Sequence, residues 1–143
     1  MKGSTMHLTL RPNEKLYLNG AVVRVDRKMT LELLNDATFL LETHVLQANE
    51  TDTPLKQLYF AAQIILIDPA NAEQALNVFL DLLTGLLRTV TDKTILAGLC
   101  ECIRLAEEER IFDILKVIRG LFPREAEIFH QRTDKAAGPR PGQ

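Results

Sequence analysis

Apolar and polar residues alternate along this chain with two different periods. From residue 6 to about 42 the period is close to two: Met6, Leu8 and Leu10 alternate with His7 and Thr9, and Leu16 and Leu18 alternate with Lys15 and Tyr17. That is the pattern of short, half-buried strands. From Pro54 onward apolar residues recur at helical spacing, through Leu55, Leu58, Tyr59, Ala62 and Ile65, then Ala75, Leu76, Phe79 and Leu83. Ile95, Leu96, Leu99 and Ile103 follow, then Ile111, Leu115, Ile118 and Leu121. The change of period predicts an α+β fold. A small N-terminal antiparallel β module of about five short strands (1–50), read as a meander, precedes a bundle of three to four helices (51–130) and a disordered tail (131–143).

Local signals set the boundaries. Arg11-Pro12-Asn13-Glu14 ends the first strand as a turn, and Asn19-Gly20 predicts a two-residue hairpin loop. This loop fixes the register, with Leu18 facing Ala21, Leu16 facing Val23 and Lys15 facing Arg24. Leu16, Leu18, Ala21, Val23 and Val25 then share one face, and Lys15, Tyr17, Val22 and Arg24 the other. Asp26-Arg27-Lys28 turns the chain into Met29 to Leu33, and Asn35-Asp36 leads to a strand from Thr38 to Glu42. Thr53-Pro54 reads as an N-cap followed by proline at the first helical position, Asp68-Pro69 repeats the signal, and Thr91-Asp92 opens a third helix. Gly120 and Pro123 predict an interruption of the last helical stretch. Pro139 and Pro141 deny regular structure to the tail, which carries Arg132, Lys135 and Arg140 against Asp134.

The first helix is apolar almost all round from Leu58 to Ile67, which predicts that a partner surface covers it. Leu58, Tyr59, Phe60, Ile64, Ile65 and Ile67 are the candidate interface residues, and a homo-oligomer is expected. The alternative is a monomer in which the other helices fold back around this segment. The run is broken by Gln63 and too short to cross a bilayer, and no basic segment precedes an apolar stretch of signal-peptide length. The expected location is the cytoplasm, with no membrane association.

Catalytic, metal and cofactor chemistry find no foothold. His7, His44 and His130 are scattered, and Cys100 and Cys102 form neither a CxxC motif nor a bridgeable pair on a helix. Gly85, Gly98 and Gly120 stand singly, so no phosphate-cradling loop is visible, and the one serine, Ser4, lies near the N-terminus. Glu107, Glu108 and Glu109 read as a solvated helix face. A non-enzymatic protein without a cofactor is expected.

A net charge of -2 excludes a broad polyelectrolyte binder, but its distribution matters. Within residues 1–50 the cations Lys2, Arg11, Lys15, Arg24, Arg27 and Lys28 balance the six carboxylates, with the bases concentrated early. Like charges placed directly opposite, as Lys15 and Arg24 are, cost stability. A bound phosphate would offset that cost, with Tyr17 stacking on a base and Arg27 and Lys28 extending the patch. Lys15, Tyr17, Arg24, Arg27 and Lys28 are therefore the candidate RNA-binding residues. A competing reading has Glu32 or Glu14 neutralise the pair and leaves Tyr17 as a sheet-face aromatic.

The segment from Leu16 through Asn19-Gly20-Ala21-Val22-Val23-Arg24 to Lys28, with Leu31-Glu32-Leu33-Leu34-Asn35-Asp36 and Phe39-Leu40-Leu41-Glu42, resembles the FlbT family of flagellar biosynthesis regulators. The similarity continues through Pro54-Leu55-Lys56-Gln57-Leu58-Tyr59-Phe60 and Ile67-Asp68-Pro69. It implies a post-transcriptional regulator acting at the 5′ untranslated region of flagellin mRNA, repressing translation or promoting decay. The alternative it carries is a protein-interaction module that binds FlaF or flagellin and affects the message indirectly. Residues 8–47 also resemble the carbon storage regulator family of small dimeric RNA-binding proteins, which hold mRNA leaders with basic residues at sheet edges. This chain departs from that pattern by its helical part and by His44-Val45-Leu46-Gln47 where a basic run would stand.

Overall fold

The computed structural model describes residues 6–137 apart from Gly20, Asp36 and Thr38. Readings that fell on residues 1–5, on those three positions or on 138–143 lie outside the described residues. The chain is α+β: strands β1 (Met6–Leu10), β2 (Lys15–Leu18), β3 (Ala21–Arg24), β4 (Met29–Leu33) and β5 (Phe39–Leu41) precede four helices. These are α1 (Pro54–Ile67), α2 (Ala72–Thr89), α3 (Lys93–Glu107) and α4 (Ile111–Ala137).

The strands do not form the expected meander. β1 pairs antiparallel with β4, while β2 lies between β3 and β5 in a separate sheet. One register runs through both pairings, from Met6 opposite Leu33 and Leu10 opposite Met29 to Lys15 opposite Arg24 and Leu18 opposite Ala21. β1 to β4 are thus one long hairpin broken halfway along both limbs. The break has local causes. Pro12 offers no N–H to a ladder, and Asn13 sits in the left-handed region at φ 66°. The buried Glu14 carboxylate accepts the Arg11 N–H at 2.8 Å. Folding the outer half over the inner half encloses Leu8, Leu10, Leu16, Val25 and Phe39 in a small core. β5 adds to β2 afterwards, with Leu16 opposite Leu41 and Tyr17 opposite Leu40.

The helices start where their caps dictate. The Thr53 hydroxyl accepts the Lys56 N–H at 3.2 Å with Pro54 opening α1, and Asp92 accepts the Ile95 N–H at 3.0 Å. Asp68-Pro69 opens a 3-10 turn (Pro69–Asn71) that leads into α2. α4 runs unbroken through Gly120 and Pro123 and on to Ala137, beyond the predicted stop. Tertiary packing outweighs the breakers, since Ile118, Leu121 and Glu125 on either side of Pro123 are all buried. Glu125 also tethers α4 to the start of α1, accepting from the Thr53 hydroxyl at 2.6 Å and the Leu55 N–H at 2.9 Å. Arg124 clamps Asp92 at 2.6 Å and, chiefly through that hydrogen bond, holds its carboxyl below the usual range.

α1 packs along both α2 and α4, and α3 along α4, whereas α2 and α3 barely meet. At Gly98 the α3–α4 approach is so close that a Cβ would sit 2.5 Å from Leu121 Cδ1. Two polar contacts bind the β part to the helices. The buried Gln63 amide exchanges a pair of hydrogen bonds with the Leu46 backbone (2.7 and 2.8 Å), and the Tyr59 hydroxyl donates to the His44 carbonyl at 2.5 Å. Leu40 from β5 joins the main helical core, and Phe39 packs against Phe112 of α4 with ring centroids 4.9 Å apart and planes tilted by 44°. Among the described residues no helix is long and apolar enough to cross a membrane.

Candidate nucleic-acid interface

The β2–β3 hairpin forms in the register its turn dictates. Asn19 takes φ 50°, the left-handed conformation a two-residue loop requires at its first position, and Lys15 lies directly opposite Arg24. Both are exposed, and neither they nor Lys28 make an ion pair among the described residues. The two carboxylates considered as neutralisers are engaged elsewhere: Glu14 with Arg11 (Nε 3.7 Å away) and Glu32 with His7 (3.7 Å). Glu42, which the sequence reading did not consider, lies nearer and accepts the Lys15 backbone N–H at 2.8 Å. Arg27 and Lys28 follow Arg24 in the turn where the long hairpin folds over, and Arg27 reaches only the neighbouring, equally exposed Asp26 at 3.5 Å.

Sheet alternation decides where the cations point. Leu16, Leu18, Phe39 and Leu41 face the small core under β1 and β4, whereas Tyr17 and Leu40 face the helical core. Lys15 and Arg24 share the helix-facing side with Tyr17. Tyr17 itself is half-buried against the helical cluster, so part of its ring is already occupied.

On that side the structure contributes a residue that the sequence reading missed. Arg119 on α4 donates from Nη1 to the Tyr59 hydroxyl at 2.9 Å, and its guanidinium lies 5.9 Å from the centre of the Tyr59 ring. Burial pushes the Tyr59 phenol up, partly countered by Arg119, so it stays protonated at neutral pH. Burial also lowers the His44 pKa, and the Arg119 charge adds to that, which keeps the imidazole neutral near pH 7. The one sequence signal for Arg119 was its place two turns after Phe112 on the face of α4 that meets the β part.

A family model described as flagellar protein FlbT matches residues 6–129. The chain belongs to the FlbT family. Among its relatives, a protein of Mesorhizobium japonicum is 46% identical over 138 residues, covering 96% of this chain and 94% of that protein. One of Brucella anthropi is 54% identical over 123 residues (86% and 81% covered), and one of Brucella ovis 53% identical over 125 (87% and 82%). All three carry the name probable flagellum biosynthesis repressor protein FlbT. No solved structure matches the chain.

In this FlbT chain the candidate interface residues of α1 divide. Leu58 and Tyr59 are buried by the chain's own helices, and Phe60, Ile64, Ile65 and Ile67 are half-buried. α2 and α4 pack along α1 and bury its inner side, so the apolar residues it still presents in part are on a narrower face that includes Phe60 and Ile64. A groove of about 380 Å³ between α2 and α3 is lined by Leu76, Leu80, Leu83, Leu87 and Ile103 and also exposes apolar surface. Leu80 is 40% exposed and Ile103 36%. A further cavity of about 740 Å³, between the hairpin tip and the α1–α4 junction, contains none of the hairpin cations. Cys102 is buried and its thiol is pushed up to about 12, chiefly by that burial, which leaves it inert. No group of three or more His, Cys, Asp or Glu side chains suited to a metal gathers among the described residues.

Proposed function

We propose that this FlbT-family chain is a cytoplasmic regulator of flagellum biosynthesis that binds the 5′ untranslated region of flagellin mRNA, repressing its translation or promoting its decay. The names of the relatives support the regulatory role. The observation that carries RNA binding is the exposed Lys15–Arg24 pair, held opposite each other by a cross-strand register and without an ion pair among the described residues. Such a pair is tolerated where an anion bridges it. The test is a titration of purified protein against a labelled flagellin leader and a scrambled RNA at several salt concentrations. Tighter, salt-sensitive binding to the leader is expected, and equal binding to both RNAs would remove direct reading of the message.

The α2–α3 groove favours a second reading, a protein-interaction module, with a second copy of this chain as occupant. Antiparallel pairing of α2 with its copy about Leu80 and Asp81 brings Glu73 opposite Arg88 of the other copy. Neither side chain makes an ion pair among the described residues. The homodimer would close the groove and present two basic hairpins to one message. Substituting Leu80→Glu is then expected to convert a dimer to a 16.1 kDa monomer by light scattering while the fold persists. A wild-type mass of 16.1 kDa at every concentration would leave the groove to FlaF or flagellin.

A further inference from the structure

Arg119 differs from its neighbours in what its charge meets. Arg104 binds Glu101 and Glu108, Arg110 binds Glu108 and Asp113, and Arg124 binds Asp92 and Glu127. Arg119 is half-buried, yet no carboxylate pairs with it among the described residues, and its one hydrogen-bond partner there is a phenol oxygen. That phenol is committed. The Tyr59 hydroxyl gives its proton to the His44 carbonyl, so its oxygen accepts from Arg119, and the buried ring fixes where the guanidinium sits. Of the five N–H donors of a guanidinium, one is used to hold it in place and the rest of the fork remains for a bidentate oxyanion.

The anchor also sets its location. His44 closes the 3-10 turn Glu42–His44, whose first residue accepts the Lys15 N–H. A chain of hydrogen bonds thus links Arg119 through Tyr59 and the His44 carbonyl to the 3-10 turn that holds Lys15. Lys116, one turn earlier on α4, is exposed and lies 4.8 Å over the Phe112 ring.

We propose that Arg119, oriented by Tyr59, is a phosphodiester-binding site that extends the hairpin cations onto α4, so that one single strand of RNA crosses from Arg24 and Lys15 over the turn to Arg119 and Lys116. This rests on the RNA-binding reading above and adds to it a route and a specific bidentate contact. The alternation of exposed lysine with a pre-oriented arginine is the arrangement that a flexible polyanion requires. Lysines follow the backbone as point charges, and the arginine fork registers one phosphate.

The test uses full-length protein and the labelled flagellin leader, comparing wild type, Arg119→Gln, Tyr59→Phe and a Lys15→Gln, Arg24→Gln double variant across salt concentrations. Arg119→Gln is expected to lower the log–log salt slope by about 0.7 and to weaken binding roughly fivefold at 0.1 M salt, the factor that slope carries over a decade of salt. Tyr59→Phe keeps the ring and the net charge but releases the guanidinium, so it is expected to weaken binding with little change of slope. That response separates a pre-oriented site from diffuse charge, and it decides the matter should Arg119→Gln fail to fold. Arg119→Gln and Tyr59→Phe binding like wild type while the double variant is impaired would overturn the α4 site and leave the hairpin reading standing. If none of the variants changes binding, the RNA reading of this face fails as a whole.

Discussion

Replacing Lys15, Arg24, Arg27 and Lys28 together by glutamine is expected to weaken binding to the flagellin leader by roughly two to three orders of magnitude at 0.1 M salt. The log–log slope should fall by about 2.8, four single-strand phosphate contacts at about 0.7 each. The fold is expected to survive, because all four side chains are exposed and their one ion pair among the described residues is that of Arg27 with exposed Asp26. Stability should in fact rise slightly. Removing two like charges from directly opposed positions relieves a cross-strand repulsion of a few tenths of a kcal/mol to about 1 kcal/mol. A site kept for structure would show the reverse, a lower melting temperature with unchanged binding. Titration and thermal unfolding of the same variant separate the two, and a folded variant with wild-type affinity and slope would move the RNA site off the hairpin.

The second large effect concerns α1. Leu58 is fully buried where α1 meets its neighbours, so Leu58→Ala leaves a cavity that these helices close only in part. A loss of about 2 to 5 kcal/mol of folding stability is expected, read as a lower denaturant midpoint at unchanged slope. The mass in solution should not change for the folded fraction, since Leu58 is covered by this chain itself. Were Leu58 instead part of the contact between copies, the substitution would shift the oligomeric state and cost little in the monomer. Chemical denaturation followed by light scattering distinguishes these results. Leu80→Glu in the groove is expected to behave in the opposite way on both measurements.

The correct and incorrect expectations share a cause. Lys15 opposite Arg24 was legible because a two-residue loop and a period of two fix cross-strand neighbours within about ten residues of chain. The caps at Thr53 and Asp92 were legible for the same reason, since a cap needs only an oxygen three residues before an N–H. The meander failed at Pro12 and Asn13, where a turn was read correctly but its consequence was not. Whether a turn reverses a strand or merely bends a longer hairpin depends on what the strand next pairs with. The stop at Gly120 and Pro123 failed because local propensity of a few kcal/mol is outweighed when both flanking turns are buried.

By itself the sequence determined which segments are strand and, short of the end of α4, which are helix, where α1 and α3 begin, and which charges face each other across the hairpin. Each of these depends on groups within a turn or a loop of one another. Only the tertiary structure decided that Leu58 and Tyr59 of α1 are buried within this chain, that Leu80 and Ile103 line an open groove between α2 and α3, and that Arg119 meets Tyr59. A periodic stripe of apolar residues reports that a face is buried but not what buries it. The bond from Arg119 to Tyr59 joins residues 60 positions apart, brought together by the packing of the whole core.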